Sequence, residues 1–213
     1  MASDQLPESL WHEGSLRVPP SLLEAYERSL TKLGLRSLAS APNINGAAGG
    51  ASILEFHQHY ATRFRVGVCR AIAALLDPMR KFETLSQDLL TTLAAGRICL
   101  LDAPSGPCTA SLAFLTTLIE LRARNVVPML PLTIDLHAAD ISPDALAVAA
   151  DLIQDLLSSL SAVAITVNLI SHPWDASSVP QTRVSLFRRP VAAKVLRAAV
   201  AGPGVSASAR KDG

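Results

Sequence analysis

The sequence predicts an α/β fold, an N-terminal helical lead-in followed by a partial parallel sheet of βαβαβ form. Three observations predict it. Apolar residues recur at helical spacing through the first part of the chain, as far as Gly96. Three short apolar runs follow, at residues 98–101, 132–139 and 163–170, the last reading Val-Ala-Ile-Thr-Val-Asn-Leu-Ile. Two segments of helical periodicity lie between those runs. Strands alternating with helices of this length make parallel βαβ units, with strands buried on both faces.

The elements follow in order. Pro20 and Ser21 precede Leu22, Leu23, Tyr26, Leu30 and Leu33, whose spacing of three and four makes one apolar stripe, and Gly34 ends it. Residues 39–51 are small, polar and Gly-rich, so that 1–51 reads as a helix with a flexible linker. A second helix is expected over 52–76, broken by Asp77-Pro78, and a third over 79–93. The run at 98–101 ends in Asp102. Leu112, Leu115, Leu118 and Ile119 mark a helix over 111–122, and Leu146, Ala149, Ile153, Leu156 and Leu160 mark one over 144–160. Residues 179–213 hold one Ala-rich helix near 190–200 and a Gly/Pro/Ser tail, with no further β-rich run. The organisation is thus 1–51, then 52–178 as the core unit, then 179–213.

Hydrophobic residues are 49% of the chain and charged residues 17%, enough for a core and too few charges for wholesale disorder. The net charge of +1 hides an asymmetry: residues 180–213 carry seven basic residues against Asp212 alone. A basic tail fits a solvated end first, and otherwise contact with RNA or an acidic partner. Cys69, Cys99 and Cys108 have no paired spacing, which with an acidic start lacking an apolar core points to a reducing, cytoplasmic setting. No stretch of about 18 apolar residues is free of charge, so no membrane span is expected.

The chemistry concentrates at the ends of the three runs. Leu101-Asp102-Ala103-Pro104-Ser105-Gly106-Pro107-Cys108-Thr109 takes a strand through a tight turn into a helix, with Pro107 suited to a first helical position. Such turns lie where ligands bind open α/β sheets. Asp140 ends the second run, followed by Ile141, a capping Ser142, Pro143 and Asp144. An acid there can accept two hydrogen bonds from a ribose diol. After the third run comes His172-Pro173-Trp174-Asp175, where an aspartate can accept from an adenine amino group and Trp174 or Ile141 can flank the ring.

Asp102-Ala-Pro-Ser-Gly106-Pro-Cys108-Thr resembles the glycine-rich motif of class I S-adenosylmethionine-dependent methyltransferases. Asp140-Ile-Ser-Pro is similar to that family's second acidic motif and Trp174-Asp175-Ala to its third, over roughly residues 60–178. The resemblance implies a Rossmann-like sheet and S-adenosyl-L-methionine as cofactor. It implies cofactor contacts at Asp102, Ser105, Gly106, Asp140, Ile141 and Asp175, and assigns no catalytic residue or metal ligand. Pro104 and Cys108 stand where the family carries glycine; proline cannot adopt positive φ or donate an N–H. The family's later strands have no counterpart, so the chain reads as C-terminally truncated, by frameshift or early stop. Its first strand would then present an unpaired edge that invites self-association.

The methyl acceptor is left open, with RNA one candidate. The alternative is a non-catalytic Rossmann-like remnant or interaction module. Dinucleotide binding fits less well, because it needs G-x-G-x-x-G for close approach of a pyrophosphate. His57 and His59, two apart on a helix, face different directions and do not pair as ligands. The chain has no G-x-x-x-x-G-K-[ST], H-E-x-x-H or G-x-S-x-G.

Overall fold

The computed structural model describes residues 6–40, 52–76 and 91–174, and the backbone of 196–197. Its centre is a parallel sheet of β3 (Arg97–Asp102), β4 (Leu132–Asp140) and β5 (Ile165–Pro173). Two crossover helices join them, α4 (Thr109–Ala123) and α5 (Pro143–Ala162). The chain steps from β3 to β4 to β5 in one direction, and right-handed crossovers then place both helices on the same face. Ile98, Leu100, Ile134, Leu136 and Ala138 point to that face and are buried in the core.

The opposite face corrects the expectation of strands buried on both sides. Cys99, Leu101, Thr133, Asp135 and His137 alternate with the core residues and are only half-buried. Arg97 pairs there with Asp135 (2.9 and 2.8 Å), whose second oxygen accepts from Asn168 (2.9 Å). Both crossover helices lie on the other face, so here the strands alternate apolar and polar.

The N-terminal region supplies an outer helical layer. A hairpin of β1 (Trp11–His12) and β2 (Ser15–Leu16) precedes α1 (Pro20–Lys32), the short α2 (Arg36–Ala39) and α3 (Ile53–Leu76). Glu13 and Gly14 both take positive φ, the requirement of a two-residue hairpin turn; the sequence reading held no strand there. Helix α3 packs on α4, and α1 on α5. Tyr26 stacks on Phe64 (4.9 Å) and donates to the Ala61 carbonyl (2.6 Å), which fastens α1 to α3. Helix α4 is therefore the middle layer and is buried from Ser111 to Ile119 without interruption. Helix α5 is long and apolar enough, by length and composition alone, to cross a membrane. It buries Ala145, Ala149, Leu152, Ile153, Leu156 and Leu160 in the core.

Two further expectations are corrected. Of the helix foreseen near 190–200 only Leu196–Arg197 lie among the described residues, and they form β6, which pairs parallel with Leu100 and Leu101 of β3. The sheet order is therefore β5-β4-β3-β6, and β3 is not an edge throughout its length. Strand β5 starts at Ile165, not 163, because Val163 caps α5 and Ala164 turns the chain at φ +59°. The helix expected over 79–93 falls largely outside the described residues, whose 91–93 are helical.

Candidate functional site

The carboxyl ends of β3, β4 and β5 lie side by side, and hydrogen bonds sew their turns together. Asp102 ends β3 with 9% of its surface exposed. Its carboxylate accepts from the Ser111 hydroxyl (2.7 Å) and the Ser111 N–H (3.3 Å) in the first turn of α4. Burial pushes this acid above the usual carboxylate range, Ser111 pulls it back, and nearby Asp140 pushes it up again.

The Asp140 carboxylate joins the turn after β3 to the turn after β4. One oxygen accepts from Gly106 N–H (2.7 Å) and the other from Ser142 N–H (2.9 Å). The backbone adds to the clamp: Ser105 N–H donates to the Ala139 carbonyl (2.9 Å) and Trp174 N–H to the Asp140 carbonyl (2.9 Å). A carboxylate offers about four lone-pair positions, so Asp140 keeps acceptor capacity beyond these two bonds. Ser142 caps α5 as the sequence suggests, its hydroxyl accepting from Ala145 N–H (3.2 Å), with Pro143 in the first turn and Asp144 beside it.

The turn from β3 into α4 departs from the sequence reading. Pro107 does not open the helix; α4 starts at Thr109, and Pro107 sits in a turn closed by Cys108 N–H donating to Ser105 carbonyl (2.8 Å). The Ala103–Pro104 peptide is cis. Gly106 takes φ +50°, and a Cβ built there would meet nothing within 4 Å. Cys108 also takes positive φ, +55°, with its side chain fully buried, so it points into the core and leaves the turn's outer surface clear.

Among the residues marked by sequence, Asp102, Ser105, Gly106 and Asp140 are thus brought together, three of them buried side chains. Ile141 stands on the rim with 61% of its surface exposed. Asp175 lies outside the described residues. Sequence reasoning missed Ser111, whose signal is a hydroxyl in the first helical turn after a strand-ending acid. It also missed the contact of His137 with His172 (3.0 Å between ring nitrogens), signalled by histidines on neighbouring strands. Among the described residues no group of three or more His, Cys, Asp or Glu could hold a metal ion.

No family model, curated protein or solved structure matches this chain.

Proposed function

We propose that this edge of the sheet binds S-adenosyl-L-methionine, and that the chain is the cofactor-binding unit of a class I S-adenosylmethionine-dependent methyltransferase with a Rossmann-like sheet. One observation carries the reading. The chain runs outward from β3 to β5 and returns on the other side of β3 at β6, so strand order reverses beside the Gly106 turn. Ligands of open α/β sheets bind at the carboxyl end of such a reversal.

The local chemistry favours a cationic ligand over a phosphate. Asp102 and Asp140 make the crevice acidic. The turn's N–H groups at Ser105, Gly106 and Cys108 are bonded within the protein, and Pro104 and Pro107 have none to offer. A pyrophosphate needs such donors, whereas a sulfonium with an ammonium does not. The open space beside Gly106 suits close backbone approach by the cofactor's methionine part. Asp140 has lone pairs left for a ribose diol, and exposed Ile141 offers an apolar surface to an adenine ring. When bound, the cofactor supplies an electrophilic methyl group; these residues would bind and orient it.

A second reading, a non-catalytic interaction module, is favoured by the internal use of both carboxylates. Calorimetric titration of the full chain separates the two. The methyltransferase reading expects binding of S-adenosylmethionine and S-adenosylhomocysteine but not of NAD, with Ile141→Asp weakening it about tenfold or more. Ile141 is exposed, so this substitution leaves the core intact. Absence of binding by the wild-type chain, or equal binding of NAD, would overturn the proposal.

A further inference from the structure

On the face that carries no helix among the described residues, β4 and β5 hold His137 and His172 as diagonal neighbours, since His172 lies opposite Ala139 in the ladder. His137 Nδ1 and His172 Nε2 are 3.0 Å apart, the ring planes differ by 6°, and the ring centroids are 5.3 Å apart. The centroid separation exceeds the nitrogen separation by the full two ring radii, the largest excess two such rings can show. Both nitrogens therefore lie on the line joining the ring centres, and the rings meet edge to edge in a common plane. One ring's N–H points straight at the bare nitrogen of the other. Two ligands of one metal ion would instead aim their lone pairs at a third point off that line.

We propose that His137 and His172 form a one-proton clasp that ties the carboxyl ends of β4 and β5 together and opens when both rings become charged. With both rings neutral, a single N–H bridges them. One added proton makes the bridge charge-assisted and stronger. A second proton leaves two imidazolium rings that can only donate, so the bridge is lost and the rings repel.

The neighbouring groups fit a device of this kind. From β4, Asp135 shares the face and favours the charged form of His137, but its oxygens already accept from Arg97 of β3 and Asn168 of β5. Cys99 of β3 lies opposite Asp135 in the ladder. Asp140 has its carboxylate on the turns. No other carboxylate on this face, among the described residues, is placed to neutralise a doubly charged pair. Burial first, and His172 second, hold His137 below the ordinary histidine range. The clasp is therefore closed near neutrality, strengthened by the first proton, and lost only at the lower pH where the second ring also becomes charged. Because Trp174 N–H donates to the Asp140 carbonyl, opening would loosen the strand end beside the candidate crevice.

Nitrogen-15 histidine spectra of the full chain from pH 8 to pH 4, with amide exchange across β5, test the proposal. The expected result is complementary ring tautomers sharing one bridging proton, and titration in two separated steps. Protection factors at His172 and Trp174, whose N–H groups face β4, should fall roughly fivefold past the second step, as loss of one hydrogen bond implies. In His172→Phe, His137 should titrate in a single step at higher pH, and the acid-triggered loss should vanish. Independent wild-type titrations matching those of the single variants, or acid-insensitive protection, would overturn it. The wild-type tautomer pattern decides the matter even if a variant fails to fold.

Discussion

At the residue scale, the acids at the strand ends were legible in the sequence and their partners were not. A carboxylate that closes an apolar run is visible in one dimension. That Asp102 bonds Ser111 depends on α4 starting at Thr109, a detail set by the buried, positive-φ Cys108. Ser111→Ala removes the hydroxyl donor from a buried, charged acceptor, leaving it the backbone N–H alone, and should cost about 1.5–3 kcal/mol at pH 7. Asp102 is raised in the fold, so its charge opposes folding as pH rises through that range. The cost of Ser111→Ala must therefore shrink as pH falls and Asp102 becomes protonated. Urea denaturation at pH 7 and at pH 5 measures both, and a pH-independent cost would contradict the charge argument. Burial likewise pushes the Cys108 thiol far up, whereas Cys69 and Cys99 are only partly covered. A thiol reagent applied to the native chain should modify Cys69 and Cys99 and spare Cys108 until the protein unfolds. Mass spectrometry of the labelled sites checks the order.

At the element scale, periodicity identified the long elements but mistook the ends and one environment. The spacing of Leu112, Leu115, Leu118 and Ile119 marked α4 as a helix and said nothing of what packs around it. The structure makes it the middle layer, and only the packing of α3 against its outer side explains why Thr116 and Thr117 are buried as completely as Leu115. The two-residue strands escaped notice because so short a run has no period to detect; the turn at Glu13-Gly14 was the available sign. Where α3 meets α4, a Cβ at Gly67 would lie 3.0 Å from the Thr109 methyl group. Gly67→Ala should gain helix propensity of about 1 kcal/mol and lose much of it to that contact. Thr109→Ser removes the methyl, so Gly67→Ala should stabilise more in that background than in the wild type. Chemical denaturation of the two singles and the double gives the coupling, and strict additivity would show that the helices do not touch there.

At the scale of the whole molecule, the alternation of strands and helices was enough to give a parallel sheet, but not which faces are covered. Parallel strands usually read as continuous apolar runs because helices flank both sides. Here Thr133, Asp135 and His137 break the β4 run, and Thr166 and Asn168 break β5, on the face that the two same-handed crossovers leave bare. The alternation was present in the sequence; the composition of the runs hid it. The same topology relocates the exposed edge. With β6 against Leu100 and Leu101, the longest strand paired on one side only among the described residues is β5, nine residues from Ile165 to Pro173. Its residues Thr166, Asn168, Ile170 and Ser171 are exposed, it carries no lysine or arginine, and its proline comes only at the last position. Edges of that kind pair with other chains unless charge, proline or a bulge blunts them. Self-association through β5 is therefore expected at roughly tens of micromolar, the range in which unpaired edges associate. Thr166→Lys places a charge on the exposed side without entering the core and should shift the protein toward monomer. Sedimentation velocity of wild type and variant over that range is the measurement. A wild-type chain that remains monomeric throughout would show that the β5 edge is protected in solution.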